Sequence, residues 1–171
     1  MKIKILVLVL GGLMVGCAKG PAENSAATNA NAAEPPSIRS VDVVKVSPQE
    51  VTLAAGEASD AIVKLEIKSG YHVNANPPTF SYLKATELLI TPADGILVQF
   101  ITYPDPVTRK FAFAPDKPLA VYEGETTLKA RPKADKSAKP GTHNLSAKLS
   151  VQACDETVCY APGTMDVTVP V

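Results

Sequence analysis

The residues in this chain best suited to chemistry are Cys154 and Cys159, two of its three cysteines. They occur in Val151-Gln152-Ala153-Cys154-Asp155-Glu156-Thr157-Val158-Cys159-Tyr160, where β-rich runs flank a four-residue connection with a cysteine at each end. Residues closing a short antiparallel hairpin have Cα atoms about 4.5–5.5 Å apart. That overlaps the separation a disulfide needs, so a bond between the two is geometrically easy. Two chemistries are open to it. As a staple it would stabilise by only about 2 kcal/mol, because the loop it closes is so short. As a redox pair it would exchange with a partner's thiolate, which requires access to sulfur. The residue pattern alone does not choose between them.

Strand parity addresses which way the pair faces. Cys154 shares the parity of Lys148, Ser150 and Gln152, the polar side of its strand, whereas Cys159 shares that of the apolar Met165 and Val167. A bonded pair cannot face both ways. Ala161-Pro162-Gly163 supplies the reset, since Pro and Gly within a strand mark a bulge or kink. Both sulfurs are therefore expected on an outward face near a sheet end.

The elements that must hold this hairpin alternate with a period of two. Val63, Leu65 and Ile67 alternate with Lys64 and Glu66; Leu145, Ala147, Leu149 and Val151 with Ser146, Lys148 and Ser150; Met165, Val167 and Val169 with Asp166 and Thr168. Each reads as a half-buried strand. Further β-rich runs lie at 41–46, 87–90, 96–103, 119–122 and 126–130, separated by turn signals such as Ser69-Gly70, Pro92-Ala93-Asp94-Gly95, Glu123-Gly124 and Pro140-Gly141. The nearest helix candidate, 81–89, is short and begins among prolines. Eight or nine short strands at this spacing predict an all-β domain, a sandwich or barrel, over residues 40–171.

The N-terminus belongs to targeting rather than fold. Lys2 and Lys4 precede an apolar run from Ile5 to Val15, too short to span a bilayer and laid out as a secretory signal. It ends at Met14-Val15-Gly16-Cys17, which resembles the lipobox of bacterial lipoproteins; residues 1–16 would be removed and Cys17 would carry the lipid. Residues 17–39, rich in Ala, Asn and Pro, predict a flexible tether with a reach of roughly 25 Å. Seventeen basic and seventeen acidic residues balance, with no basic stripe, which argues against nucleic acid as a partner. Export would place Cys154 and Cys159 where disulfides persist.

Gln152-Ala153-Cys154-Asp155 and Cys159-Tyr160-Ala161-Pro162, taken with Gly70-Tyr71-His72-Val73-Asn74-Ala75-Asn76-Pro77-Pro78, resemble the N-terminal periplasmic domain of the thiol:disulfide interchange protein DsbD. The resemblance runs over residues 40–171. It implies an immunoglobulin-like β-sandwich, here in a stand-alone lipoprotein version, whose cysteine pair is reduced by a membrane electron donor. The pair in turn reduces periplasmic thioredoxin-like oxidoreductases, among them disulfide isomerases and the thiol carriers of cytochrome maturation. By the same resemblance, Cys159 forms the mixed disulfides and Cys154 resolves them. Asp155 and Glu156 either oppose thiolate formation by like-charge repulsion or are solvated turn residues. The family covers its cysteines with a loop of acidic and aromatic residues, and the matching stretch here, 103–111, offers Tyr103, Asp105 and Phe111 without the contiguous motif. Where the family has tyrosines, this chain has His72 and Asn74; a histidine there would either exchange protons with a sulfur or be a surface residue at a strand end.

The two histidines, Met165 and the cysteine pair have no close ligand spacing, so no metal site is expected. Gln152-Ala153-Cys154 departs from the caspase nucleophile motif at Asp155. The sequence thus points to thiol:disulfide exchange in the cell envelope, of a protein-disulfide reductase type, with the disulfide as its only redox cofactor. The alternative is a non-catalytic envelope module whose disulfide is structural. The expected location is the periplasmic face of a membrane, the outer one favoured because Ala18 supplies no Asp-type retention signal.

Overall fold

Strands form where apolar side chains recur at every second position, and the order of those strands decides what lies beside the cysteines. The computed structural model describes residues 38–171. The expected signal segment, Cys17 and the tether up to residue 37 lie outside the described residues.

A 3₁₀ turn at Ser40–Val43 leads into β1 (Val44–Pro48), β2 (Ala61–Ile67), β3 (His72–Asn74), β4 (Glu87–Ile90), β5 (Ile96–Thr102) and β6 (Val107–Phe111). Then follow β7 (Ala114–Tyr122), β8 (Glu125–Ala134), β9 (Asn144–Val151), β10 (Ala153–Cys154) and β11 (Gly163–Pro170). Three sheets result, ordered β1-β2-β8-β5, β11-β9-β4 and β10-β3-β7-β6. Every strand pairing is antiparallel. The all-β, immunoglobulin-like sandwich expected from the sequence is the architecture found.

The first two sheets close on one core. Val63 and Leu65 of β2, Leu128 of β8, Leu145, Leu149 and Val151 of β9 and Val169 of β11 are essentially inaccessible to solvent and form one cluster. Each such side chain contributes about 1.5–3 kcal/mol on leaving water. The third sheet has a different neighbour on each side. Val73, Ala153 and Tyr122 belong to the main core, while Leu119, Val121 and Phe111 form a second apolar cluster with Phe80, Leu83 and Ala114 packed against it. Because successive strand residues point to opposite faces, His72, Asn74 and Cys154 share the face of Val121, away from the main core.

Several elements differ from the sequence expectation, each for a local reason. Residues 41–46 are not one strand: Arg39 and Asp42 pair as an ion pair three residues apart, the Asp42 N–H bonds the Arg39 carbonyl, and the Ser40 hydroxyl is drawn to the cysteine hairpin, which bends the chain into the 3₁₀ turn. The 81–89 segment, too short and proline-flanked to be expected as a helix, is a turn followed by β4, which matches the β-rich run at 87–90. Both β7 and β8 outrun their expected lengths despite prolines. Pro115 and Pro118 sit in the part of β7 that β3 leaves unpaired, and Pro132 of β8 pairs with Val98 where the ladder with β5 shifts register. Edges and bulges are where a strand tolerates a missing N–H.

Candidate functional site

Cys154 and Cys159 are joined, with an S–S distance of 2.03 Å and Cα atoms 3.9 Å apart. The Cα separation is shorter than the hairpin rule suggested, and the hydrogen bonds explain it. Tyr160 N–H donates to the Ala153 carbonyl (2.8 Å) and Asp155 N–H to that of Val158 (2.9 Å), flanking the two cysteines rather than linking them. That makes Cys154 and Cys159 a non-hydrogen-bonded pair, the closer of the two kinds of antiparallel pair.

The expectation of two outward sulfurs is corrected in part. Cys154 points away from the main core, but it is fully buried, whereas Cys159 is half-buried. Parity placed Cys154 correctly, with Val151 and Ala153 on the main core and Cys154 facing away from it; its burial comes from what covers that face, where it lies opposite His72 and Phe111 packs on the imidazole. The chain nevertheless changes sheet at Gln152, β9 belonging to the β11-β9-β4 sheet and β10 to the β10-β3-β7-β6 sheet, and it does so without changing parity. The Ala161-Pro162-Gly163 break is real too, with β11 beginning at Gly163. A Cβ at Gly163 would lie 2.8 Å from Val41 Cγ1, so the close approach of β11 to the 3₁₀ turn needs glycine.

Polar side chains fix both limbs of the hairpin. Gln152, at the crossing point, accepts at Oε1 from Asn74 Nδ2 (3.0 Å) and the Lys84 N–H (2.8 Å), and donates from Nε2 to the Tyr160 carbonyl (3.2 Å). Fully buried Ser40 accepts from the Ala153 N–H (2.9 Å) and donates to the Ala161 carbonyl (2.6 Å), tying the strand before one cysteine to the segment after the other. Asn74, also fully buried, donates to Gln152 and to the Lys84 carbonyl; it acts as a post for Gln152.

Asp155 organises the turn itself. Its Oδ1 accepts from the N–H groups of Thr157 (2.7 Å) and Val158 (2.9 Å) and from the Thr157 hydroxyl (2.8 Å), and its Oδ2 from the Tyr160 hydroxyl. These donors, the Tyr160 hydroxyl first, hold its carboxyl well below the usual carboxylate range. The same contact pushes the Tyr160 phenol up to about 12. Of the two readings of the acidic pair, Asp155 is thus a turn residue whose charge is hydrogen-bonded in place. The side chain of Glu156 is largely exposed, with one oxygen 4.0 Å from His72 Nε2.

His72 is not a surface histidine. It is 6 % exposed, directly opposite Cys154 in the β10–β3 ladder, and its ring meets Phe111 edge-on at 5.1 Å between centroids. Its Nε2 lies 3.3 Å from a Glu123 carboxylate oxygen, and Glu123 in turn receives a two-pronged contact from Arg109 (2.9 and 2.5 Å). Arg109 holds the Glu123 carboxyl below its ordinary range, with His72 a lesser contributor. His72, Glu123, Arg109 and Glu156 line one side of a groove of about 550 Å³.

The stretch from 103 to 111 does not act as a single cap. Tyr103 packs against the main core, its hydroxyl accepting from the Leu88 N–H (3.0 Å), and Asp105 is exposed. Of these three only Phe111 reaches the cysteine side, stacked on Phe113 and packed on His72. Pairing explains the division, because β6 starts at Val107 opposite Val121 and leaves the residues before it beside the main core. Sequence reasoning missed Ser40, Tyr160, Arg109 and Glu123. The Asp155-x-Thr157 spacing of an Asx turn could have flagged the turn network; no local signal marks the others.

The family model for "Thiol:disulfide interchange protein DsbD, N-terminal" matches residues 40–170. No curated protein matches the chain. Among solved structures, the DsbD N-terminal domain of Neisseria meningitidis in its reduced form is similar at 21% identity, covering 83% of this chain and 93% of that one with a TM-score of 0.47. The N-terminal periplasmic domain of ScsB from Proteus mirabilis is similar at 15% identity, 75% and 44% coverage and a TM-score of 0.48. A complex between the DsbD N-terminal and PilB N-terminal domains of Neisseria meningitidis matches at 19% identity, 72% and 80% coverage and a TM-score of 0.44. With the family model spanning the whole sandwich and the cysteine hairpin inside it, the chain belongs to the family of N-terminal domains of the thiol:disulfide interchange protein DsbD.

Proposed function

We propose that this chain carries electrons in the cell envelope, accepting them from a membrane reductant and passing them to periplasmic thioredoxin-like oxidoreductases through Cys154 and Cys159. The observation that carries the reading is the unequal exposure of the two sulfur-bearing residues: one half-buried, one fully buried, bonded across a turn on the face away from the main core. In-line attack by a thiolate needs an accessible sulfur, so Cys159 takes the partner and Cys154 closes the bond behind it. A donor dithiol reduces the pair by two electrons through a mixed disulfide on Cys159. The resulting Cys159 thiolate then attacks an acceptor disulfide, and Cys154 displaces the acceptor as a dithiol. No cofactor beyond the pair enters this cycle. That a DsbD N-terminal domain forms a complex with a PilB N-terminal domain is in line with a protein partner. Lipidation at Cys17, with the domain held on the periplasmic side of the outer membrane, completes the proposal.

Burial of Cys154 favours one rival, a structural staple in a non-catalytic module. A redox titration of the full chain against glutathione separates the two. An exchange pair equilibrates within the range of envelope oxidoreductases, about −120 to −230 mV, while a staple resists reduction below about −300 mV. A Cys154→Ser variant should accumulate mixed disulfides on Cys159 in cells; recovery of none, with the protein folded, would refute the exchange role.

A further inference from the structure

The ladders place four functional groups in one row across the third sheet. Cys159 is bridged to Cys154, and Cys154 pairs with His72. Val73 and Asn74 pair with Tyr122 and Val121, so the same register brings His72 opposite Glu123, where the 3.3 Å contact is found. Arg109 closes the row on the far side of Glu123. Directly opposite residues share a face, with Cβ atoms about 4.5–5.5 Å apart, so the imidazole lies beside the Cys154 side chain. The two ring nitrogens are unlike. Nε2 faces a carboxylate, which selects a proton on that nitrogen and leaves Nδ1 as an acceptor. Nδ1 is the ring nitrogen nearer the backbone. It is buried and, among the described residues, has no hydrogen-bond partner while the sulfurs are bonded. A buried polar atom without a partner is rare enough to need a reason.

We propose that His72 accepts the hydrogen bond, and in turnover the proton, of the Cys154 thiol once the disulfide is opened. This rests on the exchange reading above and deepens it. In the disulfide form Cys154 has no proton to offer and Nδ1 stays idle. In the dithiol form Sγ–H donates to Nδ1, so reduction satisfies two buried groups at once. During resolution Cys154 Sγ gives its proton to Nδ1 and its electron pair to a new bond with Cys159. The bond between Cys159 and the partner breaks, and the partner sulfur leaves as a thiolate with that pair. The two cysteines are oxidised to the disulfide and the partner disulfide is reduced by two electrons. The imidazolium formed faces Glu123 and Glu156, with Arg109 holding Glu123 in place, and it surrenders the proton to the departing thiolate or to water.

Two variants of the full chain separate this role from packing. His72→Phe keeps a ring against Phe111 but offers no acceptor. It should shift the glutathione equilibrium toward the disulfide by about fivefold to tenfold, the worth of one net hydrogen bond, and slow resolution of a Cys159 mixed disulfide at least as much. His72→Asn offers an oxygen near the Nδ1 position but no base. It should recover most of the equilibrium while resolution stays slow, a split that a structural role would not produce. Equilibrium and rate both unchanged in a folded His72→Phe protein, or both restored in His72→Asn, would overturn the proposal. If the wild-type chain does not exchange with glutathione at all, the functional reading falls by itself. The hydrogen bond is then read in phosphine-reduced protein from the ¹⁵N resonance of His72 Nδ1: movement toward the hydrogen-bonded position on reduction supports it, and no movement refutes it.

Discussion

Replacing Asp155 by alanine should make the Cys154–Cys159 disulfide easier to reduce. The carboxylate accepts four hydrogen bonds, from the Thr157 and Val158 N–H groups and the Thr157 and Tyr160 hydroxyls, and these close the turn whether or not the sulfurs are joined. Side-chain caps of this kind contribute about 0.5–2 kcal/mol when they satisfy backbone donors. With four donors on one partly exposed carboxylate, about 1–2 kcal/mol is the expected loss. The two redox states do not share it equally. A disulfide holds the turn shut and bears the whole loss, while the dithiol can let the turn open and escape part of it. The equilibrium therefore moves toward the dithiol by about fivefold to thirtyfold at most, raising the potential by roughly 20–40 mV. Asp155→Asn keeps an oxygen for Thr157 and Val158 without the charge, and should shift the potential by less than half as much. Both numbers come from the same glutathione titration. A potential that is unchanged or lower in the alanine variant would refute the reasoning. So would an asparagine variant that shifts as far as alanine, since charge and not turn geometry would then be in control.

Ser40→Ala should cost about 1–3 kcal/mol in urea unfolding, because it strands the buried Ala153 N–H and the Ala161 carbonyl at once. Gln152→Ala removes three half-buried hydrogen bonds at the sheet crossing and should cost about 2–3 kcal/mol, with amide exchange rising at Lys84 and in the cysteine hairpin rather than in β2 and β8. Acid should act through Asp155. Its carboxyl is depressed in the fold, so the unfolded chain takes the proton first; the contribution is complete above about pH 5 and is lost as pH falls from there toward the folded value. Tyr160→Phe removes the largest cause of that depression and should move the acid loss upward, as urea midpoints measured between about pH 2 and 6 would show. In the wild type the Tyr160 phenol should ionise near 12, seen as one late tyrosinate in an ultraviolet titration.

What the sequence made legible was whatever depends on one strand at a time. The alternation in β2 and β9 is a local signal, and the burial found there follows it residue by residue, with Val63, Leu65, Leu145 and Leu149 inward and Lys64, Glu66 and Lys148 outward. The cysteine pairing was equally local, since its ends are only five residues apart. Strands as short as β3 and β10 leave no period to detect, and β3 is buried on both faces, which erases the alternation altogether. The full lengths of β7 and β8 were not legible because a proline's acceptability in a strand depends on what lies alongside: an absent neighbour for Pro115 and Pro118, a shifted ladder for Pro132.

The site was illegible for a stronger reason: its geometry runs across strands rather than along them. Cys159, Cys154, His72 and Glu123 form a row only because two separate registers place Cys154 opposite His72 and Val73 opposite Tyr122. Those registers are set by the main core. Ala153, Val73 and Tyr122 are all committed to it, and a slip of one residue in any of these strands would turn its core side chain outward. Packing on one face thus fixes the order of sulfur, imidazole and carboxylate on the other. Gln152 joins the two, since the residue at which the chain leaves the β9 sheet is also the one that bonds Asn74 and the Tyr160 carbonyl. A substitution that disturbs core packing under β3, such as Val73→Ala, is therefore expected to reach the chemistry by displacing His72 from Cys154, with no change to any residue that touches sulfur.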